Sequence, residues 1–147
     1  MTSFRSEELY TIVYYSSSKG WTDQTLNEIL RVSRKNNAHL GITGFILIVD
    51  GSILQWLEGP KSVVENRFNI IKEDPRHSQL STVLTHRLGE RYFESWSMGF
   101  IPQREMSVEL TQNVINLRSY EQRGQFIEKI PRLARLFTEN FLNLNRA

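Results

Sequence analysis

Apolar and polar positions change period several times along the chain. Residues 9–16 are rich in β-branched and aromatic side chains and run into the polar stretch 16–20, which predicts a strand followed by a turn. Thr22 suits a helix N-cap with Asp23 in the first turn, and Leu26, Ile29, Leu30 and Ser33 recur on one helical face until Asn36-Asn37. Residues 43–49 and 52–58 flank Asp50-Gly51, a dipeptide that accepts the positive backbone angles of a tight type I′ hairpin. Pro60 opens a second helix, whose stripe of Val63, Val64, Phe68 and Ile71 ends near Asp74-Pro75. Residues 79–86 and 92–101 read as two further strands.

The resulting order, βαββαββ, predicts an α+β fold: a ferredoxin-like sheet with two helices on one face. After Pro102 the pattern becomes helical. Met106, Leu110, Val114 and Leu117 form a weak stripe, and Phe126, Ile127, Ile130, Leu133, Phe137 and Phe141 form a stronger one that Pro131 kinks or restarts. These two late helices are expected to cover the other sheet face. We therefore expect one domain, with residues 1–102 as its core and 103–147 as a two-helix cap.

Composition narrows the function. At 147 residues the chain can bury one core unaided, and 18 basic against 16 acidic side chains give a net charge of only +2. Such a balance offers no field for nucleic acid or an anionic membrane. The absence of cysteine excludes disulfides, thiolate metal sites and a cysteinyl cofactor link, in keeping with a reducing cytoplasm. The acidic start carries no apolar export signal, and the longest apolar run, 45–49, is too short to span a bilayer, so a soluble cytoplasmic protein is expected.

Candidate chemistry centres on the second hairpin strand. Period-two alternation puts Ile53, Gln55 and Leu57 on one face and Leu54, Trp56 and Glu58 on the other, so Gln55 sits in an apolar row. A buried amide left without a partner costs about 1–3 kcal/mol, so a polar group must meet it. Tyr14 is the natural partner, since the first strand alternates Ile12, Tyr14 and Ser16 against Val13 and Tyr15. Ser33 and Asn37 lie four apart on one helical face, although Asn37 also suits a C-cap. Trp96 and Met98 share a face of the expected last strand, where core packing is the ordinary role of both. His39, His77 and His86 have no metal-ligand spacing, no phosphate loop is present, and Glu58, Asp50 and Asp74 fall at turns where solvated carboxylates are the rule. Catalysis has little support.

Taken together, Tyr14-x-Ser16, Asn36-Asn37, Gly41-Ile42-Thr43-Gly44, Leu54-Gln55-Trp56-Leu57-Glu58-Gly59, Asp74-Pro75-Arg76-His77 and Trp96-Ser97-Met98 resemble, in order and spacing, the BLUF family of blue-light photoreceptors. The resemblance runs over residues 9–101. It implies a non-covalent flavin, FAD with FMN or riboflavin as alternatives, lying between the first two helices. Asn37, Gln55, Ser33, Asn36, Ile42, Arg76 and His77 would contact it, with Asn37 on the carbonyl and ring N–H edge. Gln55 would lie between the ring and Tyr14. Light would move an electron and a proton from Tyr14 through Gln55 to the flavin and leave Gln55 rotated or tautomerised. Trp96 or Met98 would carry the change to the sheet and the late helices. Tyr15 is an alternative to Tyr14, because the loop after the first strand is one residue shorter than in relatives. Many relatives carry arginine where this chain has Ile70, a loss for which Arg67 or Lys72 could compensate.

The resemblance implies a sensor rather than an enzyme, signalling through a separate protein partner at the sheet or late helices, or through a homo-oligomer. Two other readings compete with it. A ferredoxin-like RNA-binding module would stack bases on Tyr15, Phe45 and Trp56, yet the run 44–48 lacks the alternating aromatics and the charge is nearly balanced. A light-indifferent dimerisation domain would use the late helices alone.

Overall fold

A computed structural model describes residues 8–18, 20–94, 96–116 and 130–144. The elements are β1 (Leu9–Ser17), α1 (Asp23–Leu40), β2 (Thr43–Val49), β3 (Ser52–Pro60), α2 (Lys61–Lys72), β4 (Ser78–Arg87), β5 (Gly99–Ile101), a 3-10 turn (Gln103–Glu105), α3 (Val108–Asn116) and α4 (Ile130–Leu144). The strands form one sheet in the order β4-β1-β3-β2-β5. The first four give the expected ferredoxin-like arrangement; β5 adds a short edge parallel to β2.

Local chemistry explains the well-defined ends. The Thr22 hydroxyl accepts the Thr25 N–H at 3.1 Å and caps α1, as its position predicted. Asp50 and Gly51, at φ 50° and 80°, form the tight turn between β2 and β3. Helix α1 outlasts the expected stop at Asn36-Asn37 by a turn and ends at Gly41, whose φ of 75° is easy only for glycine. Asn37 is therefore inside the helix and is not a cap. Pro131 lies within α4, near the N-terminal end of its described span.

Alternation sorts the core into two layers. Ile12, Tyr14, Ile53 and Leu57 pack with Leu30 of α1 and Val64 and Phe68 of α2. Val13, Tyr15, Leu54 and Trp56 pack on the opposite side with Leu110 and Val114 of α3 and Leu133 and Phe137 of α4. The late helices thus cover the second face, as their stripes required. Phe126, Ile127 and Leu117, and the side chains of Ile130 and Phe141, lie outside the described residues; Met106 precedes α3 and packs against its layer.

Three expectations need correction. The strand expected over 92–101 reduces to Gly99–Ile101, because residues 92–94 and 96–98 lie outside the sheet and their backbone groups bond to β2, to α1 and to a buried carboxylate. That carboxylate is Glu58, which sits wholly buried in β3 and not at a solvated turn. Trp96 and Met98, expected on one strand face, part company: Met98 joins the α1/α2 layer and Trp96 packs against the α3/α4 layer.

Candidate functional site

The antiparallel register of β1 and β3 sets Tyr14 opposite Gln55. Both side chains point toward α1 and α2, and the Tyr14 phenol donates to Gln55 Oε1. The other end of the amide, Nε2, donates to Met98 Sδ at 3.6 Å. A single amide thus bridges a phenol and a thioether. Tyr14 is completely buried against the Phe68 ring, whose centroid lies 5.3 Å away. Burial first, and then the negative charge of Asp74, push its pKa above the usual phenol value, while Arg67 opposes them; the phenol is held protonated. Tyr15 faces the other way, and its hydroxyl donates to the Val114 carbonyl of α3.

Residues 96–98 are pinned from several sides. Gly44 N–H donates to the Trp96 carbonyl at 2.9 Å, Asn37 Nδ2 to the Ser97 carbonyl at 2.7 Å and Arg34 Nε to the Met98 carbonyl at 3.0 Å. The Trp96 ring meets Phe45 edge-on at 5.4 Å and stacks on Phe93 at 5.7 Å. Trp96 is therefore held on the layer remote from Gln55, and Met98 is the neighbour that touches the amide.

Between α1 and α2 a cavity of about 180 Å³ opens against Gln55. Ile29, Val32, Ile46, Leu57 and Ile71 supply apolar walls, Ser33, Asn37 and Gln55 supply polar groups, and Arg67, Asp74, Arg76 and His77 lie on the α2 side. Of the residues expected at a ligand, Ser33, Asn37, Gln55, Arg76 and His77 meet here. Asn36 and Ile42 do not line the cavity; Asn36 is half-buried and Ile42 is packed in the core. Trp21, which sequence reasoning passed over, closes one side by donating from Nε1 to the Arg76 carbonyl at 2.9 Å and meeting the His77 ring edge-on at 5.2 Å. An aromatic just ahead of an N-cap gave no hint of this, since the contact crosses 55 residues.

The charges at the mouth have plain causes. His77 Nδ1 is 2.8 Å from Ser16 Oγ, and burial lowers its pKa, with Asp74 opposing and Arg76 adding to the shift. Hydrogen bonds from Arg76 hold the Asp74 carboxyl below its ordinary range. Ile70 is half exposed on α2, while Arg67 reaches the cavity and Lys72 lies over the Phe68 ring at 5.1 Å. Of the two compensating cations considered, Arg67 is the one that lines the site.

A family model described as BLUF, sensors of blue-light using FAD, matches residues 9–99. The chain belongs to the BLUF family. The dark-state structure of BlrB, a BLUF protein, is similar at a TM-score of 0.74 and 28% identity, covering 90% of this chain and 97% of that one. The photo-activated state of BlsA is similar at a TM-score of 0.72 and 25% identity, with 88% and 94% covered. Photoactivated adenylate cyclase subunit beta of Euglena gracilis is 32% identical over 123 residues, 76% of this chain. The chain spans only 14% of that relative's length, so what is shared is the sensor module, which is not itself catalytic.

The BLUF cavity fits a flavin chemically. Apolar walls suit an isoalloxazine ring, and amides at the cavity suit an edge that alternates carbonyl and N–H. With one N–H of Asn37 given to the Ser97 carbonyl, its amide would have a second N–H and Oδ1 to offer such an edge. Tyr15, Phe45 and Trp56, the candidate base-stacking rings, are all buried under α3 and α4, which removes the support for an RNA-reading sheet.

Proposed function

We propose that this BLUF domain reads blue light through the hydrogen bonds of Gln55, with FAD held non-covalently between α1 and α2. The observation that carries this reading is the sequence in depth: Gln55 reaches the cavity, and Tyr14 lies behind it, bonded to its amide oxygen and shut off from solvent. Asn37, Ser33 and Gln55 would hold the ring edge, with Arg67, Arg76 and His77 toward the remainder of the cofactor. The flavin, when bound, supplies blue absorption and an excited ring that draws an electron from a nearby phenol.

The protein's part follows from the geometry. A phenol becomes strongly acidic when it loses an electron, and Tyr14 has one acceptor for its proton, Gln55 Oε1. Burial forbids a lasting charge on Tyr14, so electron and proton leave and return together. The return leaves Gln55 rotated or as its tautomer. A rotated amide presents Nε2 to Tyr14 Oη and Oε1 to Met98 Sδ, and a thioether has no proton to give. Met98 must then move, which makes it, rather than Trp96, the side chain that passes the change to β5, α1 and the α3/α4 layer. Output would reach a separate cytoplasmic partner or alter self-association through those surfaces.

The test is an absorption spectrum in darkness and just after blue illumination. The purified protein should be yellow, shift slightly to the red and recover thermally. Tyr14→Phe and Gln55→Leu should keep the flavin and lose the shift, whereas Tyr15→Phe should keep both. Failure to retain any yellow pigment after reconstitution with FAD, FMN or riboflavin would end the proposal.

A further inference from the structure

Among the described residues, a buried carboxylate plays no part in that mechanism. Glu58 lies three residues beyond Gln55 on β3 and has no solvent exposure. Its carboxylate accepts from donors on two other segments: Phe93 N–H at 2.6 Å and the Thr43 hydroxyl at 3.0 Å on Oε1, and Tyr92 N–H at 3.0 Å on Oε2. Arg91 closes the cluster, donating to Thr43 Oγ1 at 3.0 Å and to the Gly41 carbonyl at the end of α1 at 2.7 Å. Burial raises the Glu58 pKa, but each of its side-chain partners is a donor, the arrangement that suits an ionised carboxylate.

The peptide that Glu58 grips, Tyr92–Phe93, is the root of the segment that ends at Met98. The Trp96 N–H turns back onto the Phe93 carbonyl at 3.1 Å, so the segment is folded against its root. Displacement of Met98 by a rotated Gln55 would load that segment from its far end. Because Glu58 and Gln55 share a strand, the root is fixed to the same backbone that carries the switch.

We propose that Glu58 is a positioning residue that anchors residues 92–93, confines the light-driven displacement to residues 96–98 and thereby sets the rate of thermal return. This rests on the Gln55 switch described above. The carboxylate holds the root still while Met98 is displaced, so the segment is drawn back to its dark arrangement.

Glu58→Gln tests it with the full chain carrying FAD. Tyr92 and Phe93 bond to different oxygens, so the amide's NH2 must oppose one of these two N–H donors and release it. The variant should keep the flavin and the amplitude of its red shift, but recover at least fivefold more slowly. Amide exchange should show residues 92 and 93 equally protected in dark and light in the wild type, and light-sensitive in the variant. Recovery within twofold of wild type would overturn the proposal even if Glu58→Gln lowers the unfolding midpoint, as would light-dependent exchange at residues 92–93 in the wild type. Should Glu58→Gln fail to fold, Thr43→Val removes one donor from the same carboxylate; a recovery slowed at least twofold supports the anchor and an unchanged one overturns it. A wild type with no red shift sinks the switch itself, whereas a normal wild type with an unaltered variant sinks only the anchor.

Discussion

The bond between Tyr14 and Gln55 can be weighed by a double-mutant cycle of Tyr14→Phe and Gln55→Leu. Tyr14 has no exposure and Gln55 only 6%, so water cannot replace a lost partner. Tyr14→Phe deletes the donor and leaves an amide oxygen unmet, a loss of about 1 kcal/mol. Gln55→Leu strands a buried phenol hydroxyl and should cost more, about 2 kcal/mol. The double variant strands neither group. With both partners apolar it should therefore cost ~1 kcal/mol or less and not the sum of the two, leaving a coupling of about 2 kcal/mol. Urea unfolding at a fixed excess of FAD measures each corner once RT ln(1 + c/Kd), with c the free FAD concentration and Kd that corner's own, is subtracted. Both single variants should also lose the light-induced shift to the same extent. Additivity within about 0.3–0.5 kcal/mol would show that the phenol and amide do not hold each other, and the switch would lose its physical basis.

Tyr15→Phe removes the hydroxyl that bonds the Val114 carbonyl and should cost ~1 kcal/mol in urea unfolding, with faster amide exchange in α3 and an intact light response. Gly44→Ala would set a Cβ 1.9 Å from the Trp56 carbonyl oxygen, inside the β2–β3 pairing; thermal unfolding should reveal a loss of about 3 kcal/mol or more, since a paired backbone oxygen cannot retreat. His77 has a folded pKa below its unfolded value, so its contribution is complete above pH ~6.5 and drains away as pH falls through the folded value. Unfolding midpoints of the wild type should therefore drop between pH 7 and 5, and His77→Gln should flatten that slope; an identical slope in the variant would remove His77 as the cause.

Periodicity was enough for the first four strands, the helical stripes and the Asp50-Gly51 turn, because each element is set by neighbours within a few residues. Alternation alone put Tyr14 and Gln55 on one face and Tyr15 and Trp56 on the other. The same logic failed from 92 to 98. These residues carry strand-like composition, yet backbone groups of Tyr92, Phe93, Trp96, Ser97 and Met98 bond to Glu58, Gly44, Asn37 and Arg34, which lie 34 to 64 positions away. No local pattern encodes a partner at that distance. Glu58 was misread for the same reason: a carboxylate beside a glycine looks solvated until its donors are known.

The sequence by itself determined which residues could form the switch, since an amide in an apolar row demands a polar partner and strand alternation limits the choice. Tertiary structure decided which way each element faced its neighbours: that Met98 touches the amide while Trp96 packs behind the sheet, and that Arg67 rather than Lys72 lines the cavity. The reason is physical. Burial and periodicity are written along the chain, whereas the direction in which an irregular segment leaves a sheet depends on donors and acceptors that only folding brings together.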